Sequence, residues 1–425
     1  MIAFRLDIST GDLIDGKYSV LDKIGSGSYG DVLKVKDVLG NVYALKLLRL
    51  WEVSNELYTP LVEKFEQEYK TGRLSSEYLI HSLDFGIVKG NPYLLMEYCP
   101  NGDLSKLVGN DVTSLPNYAR DILEGLHALH TEGKIHRDMK PENVLIKSNG
   151  KAALTDFGVV GEMDQSKRIS VVGWWNKKPK QMQGTPLYMA PEMFDRVGGG
   201  VTYLPTVDIW SFGVMMYEIL TGGSFPFGNI DKIDDLPIYR ENARSGIWDR
   251  ERLKGIPNGQ EWLYIVEKCL APDYRKRYQS ALEVMQDMRP LIGNVSSRYI
   301  QERRSRTTDI SRLVITQGDN LGAIFVLNAS IKGNGRILRV GREVNNDIVL
   351  PEKKSTYVSR FHFTLEKSKD GSFWVIRDGQ WRKNEQRWVT STNGTYLNAT
   401  PIPIEGLKVF TGDVITAGEY KIKVE

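Results

Sequence analysis

The run His136-Arg137-Asp138-Met139-Lys140-Pro141-Glu142-Asn143, followed by Asp156-Phe157-Gly158, constrains this 425-residue chain more than any other feature. It sets a carboxylate, an ammonium and two further metal-capable oxygen ligands on closely spaced segments. Moving a phosphoryl group is mostly positioning and charge neutralisation. The spacing H-R-D-x-x-x-x-N plus D-F-G supplies the parts in order: Asp138 to orient an incoming hydroxyl, Asn143 and Asp156 to hold Mg2+ against a triphosphate.

Upstream, Ile24-Gly25-Ser26-Gly27-Ser28-Tyr29-Gly30-Asp31-Val32 reads G-x-G-x-x-G-x-V between two strand-like runs, Tyr18–Ile24 and Asp31–Lys36. Three glycines also suit an ordinary hairpin, but here they let backbone N–H groups approach phosphate oxygens without a Cβ in the way. The loop does not open a helix, which argues against a dinucleotide-binding fold. Tyr43-Ala44-Leu45-Lys46 follows as a strand whose lysine is placed to grip the α- and β-phosphates. The helical stretch Leu61–Leu74 then offers Glu68, with Glu66 as its rival, to hold Lys46 in place.

With these segments in order, residues 17–292 resemble a eukaryotic-like Ser/Thr protein kinase domain of the type found in bacteria. The resemblance implies an α+β bilobal fold and ATP with Mg2+ as cofactors. Leu94-Leu95-Met96-Glu97-Tyr98-Cys99 is similar to the strand entering the hinge, with Met96 as gatekeeper and the backbone of Glu97 and Cys99 at the adenine edge. By the same resemblance Val32 and Ala44 roof the adenine and Leu145 floors it. Ile24, Gly25, Gly27, Gly30, Lys46 and Asp156 complete the nucleotide set. Gly184–Glu192 resembles the end of an activation segment, Asp208–Gly213 a buried anchoring helix, and Arg277 the partner of Glu192. Lys140 two residues after Asp138, and Thr185 in G-T-P, resemble the serine/threonine class rather than the tyrosine class. Asp138 would accept or orient the substrate hydroxyl. Lys46 and Lys140 would stabilise developing negative charge. The competing expectation is a kinase-shaped scaffold that binds nucleotide and recruits phosphoproteins but transfers nothing.

Length suggests two or three domains, each large enough for its own core. A net charge of +3 gives no global nucleic-acid or membrane signal. Cys99 and Cys269 are far apart and lack metal-ligand spacing, which fits a reducing compartment. No apolar signal core or membrane-length run occurs, so a cytoplasmic location without membrane or nucleic-acid partners is expected.

From about Arg312 short alternating runs replace helical periodicity: Gly322–Leu327, Arg336–Val340, Ser359–Leu365 and Phe373–Arg377, with turn residues between them. Gly341-Arg342, Ser359-Arg360-Phe361-His362 and Thr392-Asn393-Gly394 lie within this region. Residues 312–425 thus resemble a forkhead-associated (FHA) domain, an all-β sandwich that binds phosphothreonine. A dianionic phosphate calls for a planar, permanently charged donor with hydroxyl and amide donors around it. Arg342, Ser359, Arg360 and Thr392 would supply these, with Asn393 on the peptide backbone and His362 bracing the loop. Gln380–Val389, carrying Trp381 and Trp388, departs from the family pattern, and a solvent-exposed hairpin is expected there.

Residues 1–16 form an N-terminal extension and 293–311 a basic linker, and the stretch Arg298–Arg312 sets Arg298, Arg303, Arg304, Arg306 and Arg312 against Glu302 and Asp309. Thr307 and Thr308 there are candidate phosphosites. Thr307 has Ile310 three places on, and its phosphate would be read by an FHA domain of a second copy, giving a phosphorylation-dependent homodimer. In the activation segment Ser166 and Ser170 are further candidates, since Arg137 resembles an arginine that pairs with a loop phosphate. Trp174-Trp175, followed by lysines, marks either a partner surface or a segment packed on the large lobe. Protein substrates and phosphothreonine-bearing partners are therefore expected.

Overall fold

The computed structural model describes residues 3–27, 30–54, 57–157, 161–162, 185–194, 204–229, 235–292, 310–327, 336–351, 358–382, 386–398, 400–402 and 405–425. The candidate sites Ser166, Ser170, Thr307 and Thr308, and the Trp174-Trp175 pair, lie outside these residues.

The N-terminal strands read as alternating apolar positions, and alternation places successive side chains on opposite faces. β1 (Leu13–Ile14), β2 (Tyr18–Ser26), β3 (Gly30–Lys36), β4 (Val42–Leu48), β5 (Ser82–Val88) and β6 (Asn91–Glu97) make one antiparallel sheet, ordered β1-β2-β3-β4-β6-β5. Val20, Leu33, Val35, Leu45, Leu47 and Leu95 bury one face beneath Leu6, Ile8 and Ile14. Residues 3–16 are thus part of the lobe's packing. Ala44, Leu48, Leu94 and Met96 line the opposite face, where Phe65 of helix α1 (Tyr58–Thr71) covers them.

The second lobe is helical. The helix Thr206–Leu220 is mostly apolar and almost wholly buried, so it must sit at a centre rather than on a surface. α2 (Leu115–Thr131) and the helices Gly259–Cys269 and Ala281–Asp287 share one core with it. Short pairs, β7 (Lys134–Ile135) with β10 (Gly161–Glu162) and β8 (Val144–Ile146) with β9 (Ala152–Leu154), carry the loops of Asp138 and Asp156.

The C-terminal part is β-rich. β11 (Arg312–Gln317), β12 (Ile324–Val326), β19 (Thr395–Leu397), β20 (Thr400–Pro401), β22 (Val414–Ala417) and β23 (Tyr420–Val424) form one sheet. β13 (Ile337–Gly341), β14 (Ile348–Val349), β15 (Phe363–Lys367), β16 (Trp374–Asp378) and β21 (Leu407–Val409) form the other. Leu338, Phe363, Trp374, Ile415 and Ile422 fill the space between them. A small separate ribbon, β17 (Gln380–Arg382) with β18 (Arg387–Val389), follows β16 in the chain. The strand expected from Ser359 begins only at Phe363. His362 is fully buried and its Nδ1 accepts the Ser359 N–H at 2.9 Å, which curls Ser359–His362 into a loop. Among the described residues no helix is long and apolar enough to cross a membrane.

Candidate active site and phosphate-binding loops

The catalytic loop is held from beneath by one buried acid. Asp208, on the central helix, accepts the backbone N–H groups of His136 and Arg137, each at 2.8 Å, and pairs with His130 Nε2 at 2.8 Å. Burial opposes its ionisation, but His130 and these donors overcome it and hold its carboxyl below the usual range. Arg137 has φ +68, a left-handed conformation costly for a side-chain-bearing residue. The two bonds to Asp208 fix that turn.

Asp138 follows, buried beside Asn143 and Lys140. Its Oδ2 accepts from Asn143 Nδ2 at 3.0 Å and lies 3.4 Å from Lys140 Nζ. Asn143 Nδ2 also donates to the Asp138 carbonyl at 2.7 Å, so the asparagine sets the acid's orientation while its own side-chain oxygen does not serve those bonds.

Lys46 is the meeting point of both lobes. Its Nζ donates to Glu68 Oε1 and Oε2 at 2.7 and 2.9 Å and to Asp156 Oδ1 at 2.8 Å. Glu66 instead faces outward, 4.0 Å from Lys70. Burial disfavours the Lys46 charge, but the two carboxylates more than offset it and raise the ammonium's pKa. Lys46 in turn is the main cause holding Asp156 below its usual range. Asp156, at φ +63, keeps its side chain 41% exposed toward the cleft.

The apolar wall beside these charges gathers Val32, Ala44, Met96, Cys99 and Leu145 into one cluster. Ala153 of β9 belongs to it too, which the sequence reading missed because a lone alanine in a strand carries no signal. At the glycine loop, a Cβ on Gly30 would come 2.4 Å from the Leu47 carbonyl, so glycine alone lets β3 close on β4. Sequence reasoning also missed the brace of this loop. Arg49 donates to Gly27 O at 2.9 Å and to Asp31 at 3.1 Å, while Ser26 Oγ donates to Asp31 at 2.8 Å. Ile24 is 45% exposed at the loop's start, and Gly25 and Gly27 meet no atom within 3.4 Å where a Cβ would stand.

Glu97 uses its side chain structurally, accepting from the His81 N–H at 2.9 Å and from Lys147 at 2.8 Å. Thr185 opens the short helix Thr185–Tyr188. Beyond it Arg277 grips Glu192 through two bonds of 2.6 and 2.8 Å beneath the Trp210 ring. Tyr188 donates to Glu218 at 2.6 Å, an acid from the central helix that motif spacing did not reveal.

In the sandwich, Arg342, Ser359, Arg360 and Thr392 converge although they come from three loops. The Arg342 N–H donates to Ser359 O at 3.2 Å, the Glu343 N–H to Arg360 O at 3.1 Å, and the Thr392 N–H to Ser359 Oγ at 2.9 Å. Both arginines and Thr392 are exposed, and Asn393 beside them is half-buried. His362 Nε2 lies 3.1 Å from Gly394 O, so one buried imidazole ties the Ser359 loop to the Asn393 turn. Burial depresses its pKa, which keeps it neutral, with Nδ1 accepting and Nε2 donating.

An acid, an asparagine and a lysine–glutamate pair are thus held where the sheet lobe meets the helical lobe. Residues 18–288 match the protein kinase domain family and 338–418 the FHA domain family. Among curated proteins the chain is similar to serine/threonine-protein kinase CST20 of Candida albicans, 32% identical over 269 residues, 61% of this chain and 20% of that protein. It is also similar to serine/threonine-protein kinase PAK 1 of Mus musculus, 31% identical over 289 residues, 66% of this chain and 48% of that protein. The chain thus spans less than half the length of these relatives. It belongs to the protein kinase family, with an FHA domain following the kinase domain in the same chain.

Proposed function

We propose that the chain transfers the γ-phosphate of ATP to serine and threonine hydroxyls of proteins, itself included, and that its FHA domain binds phosphothreonine on partners or on a second copy. The observation that carries this reading is the convergence of Asp138, Asn143, Lys46, Glu68 and Asp156 on one cleft. Mg2+ takes few protein oxygens and completes its shell with phosphate and water. Asn143 and Asp156 fit that demand. When bound, the metal supplies charge neutralisation at the phosphates.

The chain's own residues do the rest. Asp138, fixed by Asn143, accepts the proton of the substrate hydroxyl as the hydroxyl oxygen bonds the γ-phosphorus and the bond from that phosphorus to the β–γ bridging oxygen breaks, releasing ADP. Lys140, 3.4 Å from Asp138, is placed to balance the charge of the moving phosphoryl group. Lys46, locked by Glu68, holds the phosphates that stay behind. Hydroxyl rather than phenol specificity is supported by Lys140 and by Thr185 in the G-T-P segment.

Phosphothreonine reading is supported by the meeting of Arg342, Ser359, Arg360 and Thr392. Charge-assisted bonds contribute roughly 1.5–3 kcal/mol each, so a few give micromolar binding. Tethering reader and kinase raises the effective concentration of phosphorylated partners.

Radiolabel transfer from magnesium ATP to the chain and to a generic protein acceptor tests the kinase half. Wild type labels and Asp138→Asn does not, although both bind nucleotide. Equal absence of label in both leaves only a recruiting scaffold. Light scattering before and after phosphatase treatment tests the self-association expected from Thr307 or Thr308, and an unchanged mass removes it.

A further inference from the structure

The glycine hairpin that joins β2 to β3 has little side-chain packing to hold it. Ile24, Ser26 and Gly27 are exposed, and a Cβ at Gly27 would meet only the Gly30 carbonyl, at 3.7 Å. The β2–β3 ladder also shifts register twice, between Val20 and Asp22 and between Lys23 and Gly25. Segments with few buried apolar contacts open most readily, and glycine backbone loses the most freedom on ordering. Polar bonds therefore have to supply the restraint.

One arginine restrains both strands. Arg49 follows β4 directly, and the next residue, Leu50, is buried with its N–H donating to Asn91 Oδ1 at 3.1 Å. Arg49 Nη2 donates to Gly27 O at 2.9 Å, just past β2, and its Nη1 to Asp31 Oδ1 at 3.1 Å, on β3. The same Asp31 oxygen accepts from Ser26 Oγ and from Lys23 Nζ, each at 2.8 Å. The Arg49 and Asp31 side chains are only 17% and 15% exposed, so water screens their pairing less than that of Lys23, which is 51% exposed. A planar guanidinium presents donors in a fixed fork, which a lysine ammonium on its flexible stem does not.

We propose that Arg49 is a positioning residue for nucleotide binding, fixing both strands of the glycine hairpin against β4 in the place the phosphates require. β4 also carries Lys46, three residues before Arg49, so one strand sets both the lysine and the hairpin. Apparent affinity falls with the fraction of time a site is correctly formed, and Arg49 raises that fraction. Lys23 acts on Asp31 alone and contributes less. This rests on the reading of the cleft as an ATP site.

The test uses the full chain, stopped-flow release of a fluorescent ADP analogue with magnesium, and steady-state kinetics. Arg49→Met releases the analogue about tenfold faster than wild type, the size of one charge-assisted bond, and raises KM for ATP to match. Its kcat does not fall, because ground-state and transition-state binding are weakened alike. Arg49→Lys, which keeps the charge without the fork, releases faster than wild type but slower than Arg49→Met. Adding Asp31→Asn to Arg49→Met changes release by less than about twofold, since the two residues act through one bond. Lys23→Met stays within about twofold of wild type. Unchanged release in both Arg49 variants, a kcat that falls together with the melting midpoint, or Arg49 and Asp31 effects that multiply, overturns the proposal while nucleotide binding stands. A wild type that takes up no analogue overturns the ATP reading itself.

Discussion

Arg137 donates its backbone N–H to Asp208 Oδ1 at 2.8 Å while holding φ +68. A residue of the catalytic loop is thus kept in a disfavoured conformation by an acid on the most buried helix of the lobe. The loop's geometry is set by the core rather than by the substrate.

Removing that acid should cost stability as well as activity. Asp208→Ala leaves two backbone donors and His130 without their buried partner, a change that typically costs about 3–5 kcal/mol. Circular dichroism melting is expected to show a clearly lower midpoint. An unchanged midpoint would mean that the loop is not anchored there.

Glu68→Gln is expected to lower kcat/KM for ATP by about ten- to a hundredfold, since it loosens Lys46 at the phosphates. Glu66→Gln, on the outward face of α1, should leave it unchanged. Steady-state kinetics that rank the two the other way would contradict the Lys46–Glu68 pairing.

Glu218 titrates unusually high, at about 7, because burial disfavours its charge and Glu142 adds repulsion against the opposing bond from Tyr188. The native state therefore holds a proton that the unfolded chain releases. Its stabilising effect is complete below the unfolded value and is lost as pH rises through about 7. Denaturant midpoints measured across this range should fall with rising pH in the wild type and flatten in Glu218→Gln. Parallel slopes would reject the assignment.

His362 behaves in the opposite direction. Its pKa is lowered by burial from the ordinary 6.5, so the unfolded chain binds a proton that the native chain refuses. Stability of the sandwich is then full above that value and declines as pH falls below it. Protection factors over 338–418, with exchange rates corrected for their intrinsic pH dependence, should fall on acidification. His362→Ala is expected to cost about 1–3 kcal/mol by leaving the Ser359 N–H unpaired. Protection factors that are insensitive to pH would argue against a neutral buried imidazole.

Much of the fold was legible because its signals are local. Strand alternation announced the sheets, the resemblance at Asp208–Gly213 announced a buried anchoring helix, and the catalytic loop's residues lie within eight positions of one another. The FHA loops were legible for the same reason, each being a short string, although the strand expected at Ser359 became a loop around a buried histidine.

Sequence by itself determined the chemical inventory: which acids, lysines, arginines and glycines are present, at what spacing, and on which kind of element. Tertiary structure alone decided the partners. Glu66 and Glu68 differ by two positions on one helix, and only the packing of α1 on the sheet turns one toward Lys46 and the other toward solvent. Arg49 reaches Gly27, Tyr188 meets Glu218, and Gln380 joins Asn346 across 22, 30 and 34 residues of chain. Local periodicity fixes the face a side chain occupies, whereas its partner depends on how distant faces are brought together by burial.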